Sequence, residues 1–163
     1  MSHTTSIKTV AIKSITAVRA AVEELNRKGI RCELRENSVP RMYYPNQLQM
    51  HKGRKNEIAD AVIHLPGSRY DVALLKQEDG SYECVFDDWQ KEVAKVLGQP
   101  FKGTTEHWSG NRPDTEQTLH SVGKFLQEYS VCAAVEAATM AGYSVLGHST
   151  DANGCVQLQI SVD

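Results

Sequence analysis

Polar and apolar positions along this chain alternate with two distinct periods. From Thr5 to Ile12 the chain is short-range β-branched, which predicts a first strand. Ser14 is placed as an N-cap. Ile15, Val18, Val22 and Leu25 then recur at spacings of three and four, predicting a helix over 15–28 with one buried stripe. Gly29 tolerates the left-handed cap conformation and ends it. Ile30 to Leu34 alternates and reads as a second strand. Strand, helix and strand of this size suggest a ferredoxin-like split βαβ element.

The stretch 37–56 shows neither period. It holds Pro40, Pro45 and the pair Tyr43-Tyr44, and reads as a long loop or a short hairpin. The block from Asn56 to Trp89 is the densest in strand signals. Ile58, Ala61, Ile63 and Leu65 surround Asp60 and His64. Tyr70 to Leu75 is a run fit for an inner strand. Tyr82, Cys84 and Phe86 alternate with Glu83 and Val85. Asp79-Gly80 between the last two is a hairpin turn signal. Asp87 or Asp88 then serves as cap for a short helix carrying Val93, Val96 and Leu97.

The stretch 88–113 is taken as an irregular excursion, with Phe101, His107 and Trp108 as anchors. After it, Asp114 and Gln117 resemble a capping box. Val122, Phe125, Leu126, Tyr129, Cys132 and Val135 form the buried stripe of a long helix over 115–141, which Gly142 ends. Two terminal strands, 143–148 and 155–162, flank the turn residues Asp151 to Gly154. The expected whole is a single α+β domain over 1–163. Its antiparallel sheet has six or seven strands, with the two main helices on one face. The other face is left to the excursion or to a partner.

Length and composition narrow the classes. A chain of 163 residues is long enough for one real core. Eighteen basic and twenty acidic residues give a formal charge of −2, which argues against a protein devoted to duplex nucleic acid. Cys32, Cys84, Cys132 and Cys155 form no CxxC pair and sit in apolar or alternating runs, as core residues do. The opening segment has no apolar stretch of a secretory signal, and no run has the length of a membrane span. A cytoplasmic, reducing setting without membrane contact is the expectation.

Candidate chemistry is sparse. Asp87-Asp88 lies just past a strand, where paired acids could hold a hard cation or run acid/base hydrolysis, although a helix cap followed by a first-turn acid is the plainer explanation. Arg41, Tyr43, Tyr44, His51, Lys52, Arg54 and Lys55 mix cations with aromatics, the materials of phosphate contact and base stacking. Glu116 and His120 could share a helix face, yet no zinc-site spacing accompanies them. No glycine-rich phosphate loop and no nucleophile elbow occurs. No cofactor and no metal site is therefore expected.

Met1-Ser2-His3 with its following strand, Ala59 to Ile63, Tyr70-Asp71-Val72, and Gly80 to Glu83 through Asp88-Trp89 are similar to segments of a known group. They resemble the uncharacterised conserved-reading-frame family of cyanobacteria and algal plastids, the hypothetical chloroplast reading frame 35 family. The resemblance covers most of the chain and implies no established activity. Against the family, 97–112 looks like an insertion, and 42–47 departs from a glycine-tyrosine segment. The resemblance singles out His3 as a candidate contact residue.

The reading is a non-catalytic accessory or adaptor protein that binds another macromolecule, a protein partner or a second copy. The candidate binding residues are His3, Arg41, Tyr43, Tyr44, Lys52, Arg54, Lys55, Asp87, Asp88, His107 and Trp108. The alternatives are weak nucleic-acid or small-ligand binding through 41–55, and a metal-dependent hydrolase built on Asp87 and Asp88.

Overall fold

A computed structural model describes residues 4–101, 105–107, 113–114, 120–150 and 156–161, with only the backbone considered for 4–11, 105–107 and 113–114. Strand β1 (Thr4–Ile12) leads into helix α1 (Ile15–Arg27), then β2 (Glu33–Ser38) and a six-residue helix α2 (Gln47–Lys52). Strands β3 (Ala59–His64), β4 (Val72–Lys76) and β5 (Tyr82–Asp87) form a meander. A 3₁₀ turn (Trp89–Lys91), helix α3 (Ala94–Leu97) and strands β6 (Thr105–His107) and β7 (Pro113–Asp114) follow. Helix α4 (Gly123–Met140) and the hairpin β8 (Ser144–Thr150) and β9 (Val156–Ser161) close the described chain.

The fold is mixed α+β, an antiparallel sheet with helices packed against it. Its strand order is β2-β3-β4-β5-β1-β6-β7. Every neighbouring pair is antiparallel, so β1 and β2 run parallel with the three meander strands between them. Register sorts the side chains into two faces. Ala61, Leu74 and Cys84 align across β3, β4 and β5, as do Ile63, Val72 and Phe86. These pack with the buried stripes of α1 and α4. Val62, Ala73 and Val85 align one position over and point the other way, because successive strand residues alternate faces.

Ser14 caps α1, its Oγ accepting from the Ala17 amide at 3.0 Å. The same hydroxyl donates to Glu136 of α4 at 2.8 Å. Tyr129 of α4 accepts at its hydroxyl oxygen from the Lys13 amide at 2.8 Å. Ala17 and Ala21 lie in the buried stripe of α1, where small side chains allow close helix approach. Gly29 takes φ +86°, the left-handed conformation expected at the helix end.

Several expectations are corrected. β2 begins at Glu33, not at Ile30, because the chain from 26 to 32 is spent in a helix-end turn. There the Ile30 amide bonds to the Leu25 carbonyl at 2.9 Å, and Asn26 Nδ2 donates to the Cys32 carbonyl at 2.8 Å. The 37–56 stretch contains α2 rather than a hairpin. Leu48 of α2, with Met42, covers the second sheet face at Val62, Ala73, Leu75 and Val85, a role assigned from sequence to the excursion or a partner. The excursion is partly regular, and its Val93 and Leu97 join the core on the helix side.

Helix α4 starts at Gly123, after a turn that follows a helical His120, and Asp114 pairs through its backbone with Thr105 in β7. A Cβ on Gly123 would stand 1.7 Å from the Gln99 carbonyl oxygen, so the helix start is locked against the segment after α3. Residues 115–119 of the expected helix lie outside the described residues. The last two strands form their own two-stranded sheet.

Candidate functional site

The meeting point of the 41–47 segment with the end of β5 gathers the largest share of the candidate residues. Alternation sets it up: Glu83, Val85 and Asp87 share one face of β5, the face under α2. Asp87 is fully buried there. Its Oδ2 accepts from Gln47 Nε2 at 2.9 Å and from the Tyr43 amide at 3.3 Å, and its Oδ1 accepts from the Trp89 amide at 2.9 Å. All three donors are neutral. The last bond is the local two-residue bridge that favours aspartate at the start of turns, so the cap explanation of this acid accounts for one oxygen only.

Those bonds fix the backbone beneath an aromatic corner. Tyr43 and Tyr44 meet edge to face, centroids 4.7 Å apart and planes at 76°. Tyr43 meets Trp89 at 6.0 Å and 70°. Tyr43 and Tyr44 are 47% and 46% exposed, and Trp89 is half-buried. Tyr70, buried nearby, has its phenol pushed up by burial and then by the charge of Asp87. Gln47 also accepts at Oε1 from the Tyr44 amide at 3.0 Å, so one amide side chain joins both tyrosine residues to the carboxylate.

On α2, the Lys52 ammonium pairs with the buried Glu83. His51 has its pKa lowered by burial and then by Lys52, with Asp87 acting in the opposite sense.

Asp88 faces elsewhere. It is buried, accepts from Ser121 Oγ at 2.8 Å, and pairs with Lys91. Adjacent in sequence, the two acids serve different partners. No group of three or more His, Cys, Asp or Glu suited to a metal occurs among the described residues.

The cations of the 41–55 segment are largely committed. Arg41 donates from Nη2 to Asp71 Oδ1 at 2.7 Å and to the Leu65 carbonyl at 2.7 Å. Lys52 holds Glu83, and Arg54 lies 3.4 Å from Asp60. Lys55 is exposed. His3 and Trp108 lie outside the described residues. His107 is placed by its backbone alone, opposite Thr5.

Gln47, Trp89 and Tyr70 belong to the corner without having been among the candidate binding residues. Trp89 directly after two acids at a strand end was the available signal. Gln47 gave none, since six residues of helix are too short to show a period.

A second surface lies at the far end of α4. Met140 is 81% and Leu146 64% exposed, with Tyr143 and Ile160 also open. Neither β8 nor β9 carries an Asp, Glu, Lys or Arg. No helix among the described residues is long and apolar enough to cross a membrane. No family model, no curated protein and no solved structure matches the chain.

Proposed function

We propose that this protein is a non-catalytic accessory or adaptor that binds another macromolecule through the Tyr43, Tyr44 and Trp89 corner. One observation carries the reading: two half-exposed tyrosines are held on a buried polar base, Asp87 and Gln47, instead of packing into the core. Rigid aromatic side chains on a fixed backbone lose little entropy on binding and are the usual anchors of protein interfaces. The open apolar end of the hairpin is a second contact surface for a partner or another copy, since uncharged edge strands invite pairing.

Membership of the conserved-reading-frame family and a cytoplasmic location belong to this proposal. So does the ferredoxin-like description of the β1, α1, β2 unit, supported by its parallel strands and widened by two extra strands between them. Nucleic-acid binding through 41–55 is the weaker reading, because Arg41, Lys52 and Arg54 are already paired with acids. Hydrolysis at Asp87 and Asp88 is weaker too, as their carboxylates hold separate partners.

The test is recovery of a stoichiometric partner on the full chain from its native host, compared with Tyr43→Ala/Tyr44→Ala. A partner retained by the native protein and lost from the double variant is expected. Equal recovery on both would remove the corner from the interface.

A further inference from the structure

The corner has the ingredients of a site for one kind of cation. Aromatic faces attract positive charge through the ring quadrupole, most strongly where the cation sheds water easily. Tyr43 stands nearly at right angles to both Tyr44 and Trp89, so the three rings are not stacked face on face. Beneath them lies Asp87, a fully buried carboxylate whose hydrogen-bond donors are two amides of the backbone and one side-chain amide.

The neighbouring acids are balanced differently. Asp71 pairs with Arg41, Glu83 with Lys52, Asp88 with Lys91, and Glu92 with Arg69 and Lys95. Asp87 thus contributes negative potential under the aromatic corner without an ion-pair partner among the described residues. It contributes no hydrogen-bond acceptor to a ligand, because both oxygens are occupied and the group is out of contact with solvent. A lysine ammonium or a guanidinium holds its water through N–H bonds and gives some of it up, at a cost, to lie on a ring face. A cation with no N–H has no such loss.

We infer that the Tyr43, Tyr44 and Trp89 corner binds a quaternary ammonium group, presented by a trimethylated side chain of a protein partner. The inference rests on the adaptor reading of the same corner. A phosphocholine group is the less suited source, since its phosphate would sit beside the buried Asp87 carboxylate and lower its affinity.

The purified full chain is titrated with trimethyllysine, tetramethylammonium, phosphocholine and 3,3-dimethylbutanol, an uncharged isostere of choline, at constant ionic strength. Trp89 is followed by fluorescence in a Trp108→Phe background and by its indole N–H signal in the native chain. Trimethyllysine and tetramethylammonium should give saturable shifts with midpoints of about 1–10 mM, the range of single-group contacts. The neutral isostere should give none. Tyr44→Leu should raise the midpoint at least about fivefold, while Tyr44→Phe, which keeps the ring, should stay within about twofold.

No saturation by either cation, or an equal response to the neutral isostere, overturns the inference. Tighter binding of phosphocholine than of trimethyllysine overturns the assignment to a protein partner. A partner captured through Tyr44 from the host, with no response to these cations, would sink this inference and leave the adaptor reading standing.

Discussion

Removing the Asp71 carboxylate should cost this protein about 3 kcal/mol, and the structure says where that comes from. Asp71 is 2% exposed and sits at the mouth of the β3–β4 connection. It accepts from the Arg41 amide at 2.9 Å, from Arg41 Nε and Nη2, from the buried Leu65 amide at 3.1 Å, and from His64 Nδ1 at 3.0 Å. Asp71→Ala strands two backbone N–H groups, each costing about 1–3 kcal/mol when left unpaired. Loss of one partner of a buried ion pair reaches about 3–5 kcal/mol. The Arg41 side chain is 42% exposed and recovers water, so the lower end applies. In a chain of this size that is a fall in Tm of about 6–12 °C.

Asp71→Asn keeps one acceptor oxygen and should lose about 1–2 kcal/mol. Urea unfolding followed by far-UV circular dichroism measures both, with the slope m expected to stay constant. The pH dependence gives a second check. Burial alone would raise the Asp71 pKa, but the hydrogen bonds from the Arg41 side chain, the Arg41 and Leu65 amides and the Arg41 charge together bring it below its ordinary value. A depressed folded pKa gives stability that is present above the unfolded value, about 3.9, and lost as pH falls through the folded one. The gap between native protein and Asp71→Asn should therefore be full at pH 7 and shrink below about pH 4. A loss under about 1 kcal/mol for Asp71→Ala at constant m, or a gap that widens in acid, would refute the reasoning.

Three other outcomes are expected. Lys52→Met alone should destabilise by about 3 kcal/mol by taking the ammonium away from the buried Glu83 carboxylate, and Lys52→Met/Glu83→Gln should recover most of that in the same urea assay. Gly123→Ala should cost at least about 2 kcal/mol by differential scanning calorimetry, because its Cβ would meet the Gln99 carbonyl at 1.7 Å and the backbone must move. At pH 7.5 Cys32, Cys84 and Cys132 should resist iodoacetamide in the native state, read by peptide mass spectrometry. Burial pushes the Cys32 and Cys132 thiols up to about 11 and Cys84 higher still, and the thiolate is the reacting form.

The amino-acid sequence by itself determined the elements whose period is long or whose punctuation is strong. The α1 stripe, the β3 to β5 meander with its Asp79-Gly80 turn, and the terminal hairpin all follow from side-chain spacing and turn chemistry. It also brought Tyr43, Tyr44 and Asp87 forward, as aromatics in a loop and an acid at a strand end. Local pattern carries no information on what lies across space. That Asp87 and Asp88 part company follows from the alternation of a strand, but their partners, Gln47 from 40 residues before and Ser121 from 33 after, come from chain segments that only packing brings in.

Tertiary structure likewise decided the start of α4. The side-chain period marks no break between His120 and Gly123, whereas in the fold a turn stands there and Gly123 packs against the Gln99 carbonyl where α4 begins. It decided the second sheet face as well: six residues of α2 are too few to show a period, yet Leu48 is wholly buried on Val62, Ala73 and Val85. The reason is the same in each case. Periodicity records which face of an element avoids water, while the identity of what covers that face is settled by long-range contacts.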